Sequence, residues 1–268
     1  MRKRLLSFLQ RVYSDFLMPD RSEEYRRLVS TALRSGYQVV GVKEFHQMIL
    51  HQPGDLQLLL ILRHDIDTDP GYARVFWQIE KDLGVNSSFY FRQSTLDVDL
   101  MQEIELSGSE ASYHYEELAT LAKKHCLKSR ERVLLYLGEA RDLLRGNLGR
   151  LRTQTGLPMT TLAAHGDFVN RRLDMRNQEL LADQEFRREL GVEYEVYDPG
   201  PENLEAARFS DAPYPHFWRP ASPLHAIEAG LPVVYVLTHP RHWCSHVIPN
   251  LKDDANRFLE GVRYARCR

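Results

Sequence analysis

No apolar run in this 268-residue chain approaches the roughly 20 residues needed to cross a bilayer. Cysteine is scarce as well. Cys126, Cys244 and Cys267 form an odd set with no CxxC spacing, which argues against a cysteine zinc site and for a reducing compartment. Net charge is nearly absent, at −2, so electrostatics gives no case for a nucleic-acid partner. There is no Pro/Gly/Ser linker, no low-complexity tract and no internal repeat. The basic start, Met1 to Arg11, has its apolar stretch broken by Gln10 and Arg11 and lacks a small-residue cleavage site. It therefore does not read as a signal peptide, and a cytoplasmic location is expected. As an amphipathic helix it can pack on the domain or make weak contact with a membrane surface.

The composition is ordinary for a globular chain, 43% hydrophobic and 27% charged, and the core can be large without disulfide staples. Strand and helix patterns alternate almost throughout. Tyr25, Leu28, Val29, Ala32 and Leu33 give the first clean helical face, with Ser22 as its cap and Gly36 as its stop. Further helices are expected over 41–49, 70–83, 99–106, 129–152, 178–190 and from Asn250 to Val262. Strands are expected over 37–40, 58–62, 87–91, 110–113, 160–164, 192–197 and 232–237. Repeated β–α units with buried, parallel-type strands imply a right-handed α/β wind, and the length favours a barrel-like closure over an open sheet. Residues 1–21 read as an N-terminal helical extension and 22–268 as one domain.

The most informative stretch is Leu58 to Pro70. Five apolar residues suit a strand covered on both faces, and a cluster of charges follows, Arg63-His64-Asp65-Ile66-Asp67. Asp69 and Pro70 read as an N-cap and first helical residue. The acids thus sit at the carboxyl end of a strand, the edge on which α/β folds build their sites. Alternation points Asp65 and Asp67 the same way, with His64 and Ile66 opposite. His114, His165 and His239 also close predicted strands. Imidazole and carboxylate on one edge suit Zn²⁺ or another divalent transition ion, Co²⁺ or Mn²⁺ included.

Leu62-Arg63-His64-Asp65-Ile66-Asp67, Ser112-Tyr113-His114-Tyr115-Glu116 and Leu237-Thr238-His239-Pro240 together resemble three motifs of the polysaccharide deacetylases. These are the enzymes of the NodB-homology, carbohydrate esterase family four type. The closest likeness is to the divergent branch found with bacterial surface-polysaccharide genes, and it runs from about Tyr25 to Trp243. The resemblance implies a distorted (β/α)7, TIM-like barrel within the α/β class. It also implies one divalent metal and hydrolysis of a linear amide on a carbohydrate. Asp65 would be the general base, Asp67 and His114 metal ligands, and His239 the general acid, although the intervening Ile66 leaves the two Asp roles exchangeable. The family's second metal histidine would fall at Leu118, which cannot ligate. His165 is the expected replacement, and Glu116 a weaker one. The family's Arg-Pro-rich third motif has no clear counterpart, and Trp218-Arg219-Pro220 is either its relic or an unrelated loop.

Around this set, Arg63, Arg92, Asp167 and Trp243 are candidate substrate contacts. Arg63 can equally neutralise the acids, Asp167 can equally cap a loop, and Trp243 can be a sugar platform or core. A metal cluster at His242, Trp243, Cys244 and His246 has no standard zinc spacing. The expected function is removal of an N-acetyl or similar acyl group from a sugar or nucleotide-sugar precursor. The alternatives are a non-catalytic carbohydrate-binding or scaffolding homologue, and hydrolysis of another non-peptide C–N bond.

Overall fold

The computed structural model describes residues 2–51, 58–199 and 206–266, apart from the side chains of residues 2–5 and 7. The side chains of Arg2, Lys3 and Arg4, offered for membrane contact, and Cys267 lie outside what is described. No described helix is long and apolar enough to cross a membrane. In chain order the elements are α1 (Arg2–Phe16), α2 (Ser22–Arg34), β1 (Gln38–Val40), α3 (Val42–His51), β2 (Leu59–Ile66), α4 (Pro70–Leu83), β3 (Ser88–Phe91), α5 (Val98–Leu106) and β4 (Glu110–Tyr115). There follow α6 (Glu117–Lys124), α7 (Arg130–Leu134), α8 (Leu137–Thr155), β5 (Thr161–Ala164), α9 (Phe168–Leu173), α10 (Gln184–Glu189) and β6 (Tyr194–Glu195). The last are β7 (Ala207–Asp211), β8 (Trp218–Arg219), α11 (Pro223–Glu228), β9 (Val233–Thr238) and α12 (Val247–Arg266). The α/β reading holds.

The chain divides into two compact units. The first comprises Met1–Ala111 and Pro199–Leu251. At its centre is β2, buried at all eight positions and paired in parallel with β1, β3 and β9. β9 pairs in parallel with β7, and β8 closes back on β7 as an antiparallel edge. The expected strand end at Leu62 comes too early. The β3 ladder takes up Arg63–Ile66, so Arg63, His64 and Asp65 lie inside the strand. Charged residues can stay there only because each is paired. Asp69 caps α4 as expected, its carboxylate accepting from Tyr72 N at 3.2 Å, and Gly84 ends the helix in the left-handed conformation. The end of α1 is tied to this unit: Arg241 Nε donates to Asp15 at 3.0 Å and Asn250 Nδ2 to the Asp15 carbonyl at 2.6 Å.

The second unit comprises Ser112–Asp198 and Lys252–Arg268. Its strands β4, β5 and β6 pair in parallel. The expected single helix over 129–152 is broken at Leu135-Tyr136 into α7 and α8. The expected helix over 178–190 is a tight turn at Asn177–Leu181 followed by α10, because the Asp183 carboxylate accepts from Glu185 N and Phe186 N and starts a new helix. Cys126 is disulfide-bonded, which corrects the reading of three thiols and removes the support it lent to a reducing compartment; Cys244 is a free thiol.

One polar network lies wholly in the interior of the first unit. Glu80 of α4 accepts from the Tyr25 hydroxyl, from His64 Nε2 at 2.7 Å and from Ser87 Oγ at 2.7 Å. His64 Nδ1 meets Thr238 Oγ1 at 2.6 Å, so both ring nitrogens are used and His64 is a strut between β2, α4 and β9. Removing one member leaves the others buried without a partner. Glu80→Ala is expected to cost about 3–5 kcal/mol, read as a lower urea midpoint. An unchanged midpoint would contradict the structural role.

Candidate active site

Arg63 and Asp65 are two residues apart on β2, and so share a face. Arg63 Nε and Nη2 bind the two Asp65 oxygens at 2.7 and 2.6 Å, with both side chains buried. This fork fixes the carboxylate's orientation. Asp67, just past the strand, is half-buried, and Arg92 Nη1 lies 3.4 Å from its carbonyl oxygen. Thr95 Oγ1 donates to the Ile66 carbonyl at 2.6 Å and holds the same turn.

His239 follows β9 directly. Its Nδ1–H donates to Asp211 Oδ1 at 2.7 Å and its backbone N–H to Oδ2 at 2.6 Å. Trp243 Nε1 adds a third bond at 2.8 Å and His242 Nδ1 a fourth at 3.1 Å. These four donors match the roughly four lone-pair sites of a carboxylate, and the Asp211 side chain is fully buried. Asp211, His239 and His242 are close enough to one another to suggest a cation site. The N–H donors already fill the oxygens, so the cluster reads as a proton-holding network. Burial alone would neutralise His239. The Asp211 charge and hydrogen bond outweigh it, Asp67 and Asp65 add to them, and the imidazole is pushed up to about 9. Burial likewise opposes the Asp211 charge, yet His239 and His242 hold its carboxyl well below the usual carboxylate range.

In the second unit, β4 and β5 pair His114 with Ala163. His165 stands two residues beyond Ala163, and alternation brings its side chain to the same face as His114. The two rings meet edge to face with centroids 5.1 Å apart, and their ligand atoms lie within 4.8 Å of one another. His114 Nδ1–H donates to the Ala163 carbonyl at 2.9 Å, and His165 Nδ1–H to Glu116 Oε2 at 2.9 Å. A carbonyl can only accept, so Nδ1 of His114 carries the proton and the lone pair of the neutral ring is on Nε2. The Glu116 carboxylate sets the same tautomer at His165. Oriented rings with an outer acceptor on Nδ1 are the usual dress of metal-binding histidines. Zn²⁺, Co²⁺ or Mn²⁺ fits this nitrogen pair.

Two expected substrate contacts need correction. Arg63 is 1% exposed and its guanidinium is spent on Asp65, so it tethers a carboxylate instead of meeting substrate. Trp243 is 1% exposed and packed edge to face against Tyr25, Phe76 and Trp218; no ring face is left for a sugar. Asp167 caps α9, accepting from Val169 N at 2.7 Å, pairs with Lys123 at 2.9 Å, and also lines a cavity beside His165. Arg92 stays half-buried beside the Asp67 turn. The His242–His246 run disperses: His242 turns to Asp211, His246 to Asp69 and Trp243 into the core. Sequence reasoning missed Asp211. Its only signal was a carboxylate closing the weakly patterned Ala207–Asp211 segment. It also gave Glu116 a ligand's role, where the structure makes it the partner of His165 Nδ1.

No family model and no curated protein sequence matches the chain. Among the solved structures similar to it are the following two. One is a Streptococcus pyogenes deacetylase, PplD, in complex with acetate: TM-score 0.44, 13% identity, 64% of this chain and 70% of that one. The other is a BA3943 mutant, a CE4 family pseudoenzyme with restored enzymatic activity: TM-score 0.42, 12% identity, 78% of this chain and just under two thirds, 65%, of that one.

The Asp211–His239 pair has a direct spectroscopic consequence. The folded value near 9 lies above the ordinary 6.5, so protonated His239 contributes stability below about pH 6.5 that is lost as the pH rises through 9. The imidazole resonances of His239 should titrate near 9 by NMR and return toward 6.5 in Asp211→Asn. A wild-type midpoint near 6.5 would refute the coupling.

Proposed function

We propose that this chain is a metal-dependent deacylase of the polysaccharide-deacetylase type, built on a distorted (β/α) barrel. In this reading it removes an acetyl or similar acyl group from the nitrogen of a sugar or nucleotide-sugar precursor. The observation that carries the reading is a pair of oriented groups: a carboxylate at Asp65 forked by Arg63, and an imidazole at His239 held by Asp211. An amide needs a base to take a proton from water and an acid to give one to the departing nitrogen. Asp65, held by Arg63, is the base. His239 has Nδ1–H committed to Asp211 and presents Nε2–H as the acid. Because its pKa stands near 9, it is charged at neutral pH.

His114 and His165, with Asp67 as the carboxylate, are the residues assigned to the metal. When bound there, a divalent ion supplies Lewis-acid stabilisation of the amide oxygen. Glu116 holds His165 in the ligating tautomer. Arg92 steadies the turn that carries Asp67. Leu118, fully buried in α6, gives the one specific support for a second reading, a non-catalytic sugar-binding homologue.

Elemental analysis separates the two readings. The purified protein should hold about one divalent ion per chain after incubation with Zn²⁺, Co²⁺ or Mn²⁺. His165→Ala should lose it, and Asp67→Asn should lose both metal and turnover. Glu116→Gln should weaken the metal about 10–100-fold while leaving the fold intact. No metal in the wild type, or full turnover in Asp67→Asn, would sink the hydrolase mechanism and favour the binding protein.

A further inference from the structure

The second unit has a cavity of about 480 Å³ with His165 in its wall, within the roughly 300–1,000 Å³ usual for small-ligand sites. The rest of the wall includes Asn170, Arg171, Asp174, Arg176 and Tyr197. Arg171 and Arg176 are exposed, and neither guanidinium has an ion-pair partner among the described residues. Elsewhere in this unit Arg130 pairs with Glu179, Arg145 with Glu189 and Arg187 with Asp198. The carboxylate of Asp167 is already held by Lys123, so Asp174 alone opposes the two arginines.

Asn170 is the independent sign. It is 7% exposed. The backbone N–H of Asp167 donates to one atom of its amide group at 2.9 Å, which must therefore be the oxygen, and Asn177 Nδ2 donates to the same atom at 3.1 Å. The amide nitrogen is thereby fixed as the other atom. It is buried and has no acceptor among the described residues. A buried donor in a cavity wall, beside two arginines, calls for an acceptor that the chain does not supply. Tyr197, 44% exposed, adds an aromatic face of the kind that covers the apolar side of a pyranose.

We propose that this cavity is a subsite for an anionic substituent of the substrate, a carboxylate or a phosphate on the sugar. Arg171 and Arg176 grip the anion and Asn170 Nδ2 donates to it. Guanidinium forks match both groups in shape and charge. The inference deepens the proposed deacylase, on which it rests for the placing of the reaction beside His165; anion binding itself does not depend on turnover.

The test is calorimetric titration of the full-length protein with glucose, glucuronate and glucose 1-phosphate. One or both anionic sugars should bind at least about tenfold more tightly than glucose, and added salt should weaken them. Arg171→Ala and Arg176→Ala should each weaken the anion about 10–100-fold and leave glucose unchanged. Asn170→Asp, which replaces the donor by a charge, should weaken it further. Preference for glucuronate names a uronic-acid substrate, and preference for glucose 1-phosphate a phosphorylated one. Equal binding of glucose, no binding of any of the three, or unaltered anion affinity in the arginine variants would overturn the subsite. Anion binding that survives in a protein without deacylase activity would sink the hydrolase reading alone. Turnover of N-acetylglucosamine with no gain from an anionic substituent would sink the subsite alone.

Discussion

Asp211 takes a negative charge into the interior, where an unpaired ion costs several kcal/mol. The chain meets that cost with four N–H donors drawn from one short segment, His239 to Trp243. The arrangement fixes several things together. The end of β7 is bound to the turn after β9, which itself lies against β2. Trp243 is drawn into the core, with its ring against Phe76 of α4 and Tyr25 of α2. His239 is oriented by two bonds and kept protonated by the charge it touches. Without the carboxylate, the burial of His239 and Trp243 would leave N–H groups unsatisfied, and the acid of the proposed reaction would be neutral at working pH.

Three of the pairings of imidazole and carboxylate in this chain have three different results. His64 and Glu80 are completely buried, and the other nitrogen of His64 is held by Thr238. No ring atom is left for chemistry, and the pair braces the sheet. His239 and Asp211 leave Nε2 outside the pair at a partly exposed ring, and the Asp211 charge and hydrogen bond outweigh burial and raise the imidazole pKa. His165 stands at the wall of a cavity, and Glu116 acts on its tautomer. Burial and the second nitrogen's partner, not the residue types, decide which pair is structural and which are open to the proposed acidic and ligating roles.

Much of this was legible in sequence. The Leu58–Leu62 run marked the central strand, Asp69-Pro70 marked the start of α4, and each singled-out histidine does lie at or just past a strand end. These signals are local: apolar continuity, a cap, a period of two. The errors fall where the deciding partner is distant in sequence. Arg63 and Trp243 looked available for substrate because nothing nearby shows that β3, β9 and α4 bury them. Asp211 was invisible because β7 is short with mixed burial and β8 is a two-residue edge, and its four donors come from about 30 residues further on. Leu135-Tyr136 and Asp183 broke expected helices because a continuing apolar pattern does not reveal where the backbone restarts.

The departure at Leu118 has a physical logic of its own. A ligand placed four residues after His114 would have to lie on α6 and face the same point as the strand residue, which constrains both the helix's rotation and its distance. In this chain that face of α6 is core, with Leu118, Leu121 and Ala122 fully buried. A histidine there would displace close packing. In the proposed reading the ligand is the residue after β5 instead, which changes the constraint. The β4–β5 register already pairs His114 with Ala163, and the two-residue step to His165 puts the rings edge to face without help from a helix. Glu116, at the start of α6, then needs only to reach His165 Nδ1. Sheet register is a stiffer positional device than helix rotation, since a slip of one residue would turn the side chains to the opposite face. A metal pair set by strand register is therefore compatible with an α6 wholly given over to packing, and the loss of the helical histidine does not by itself imply loss of the ion.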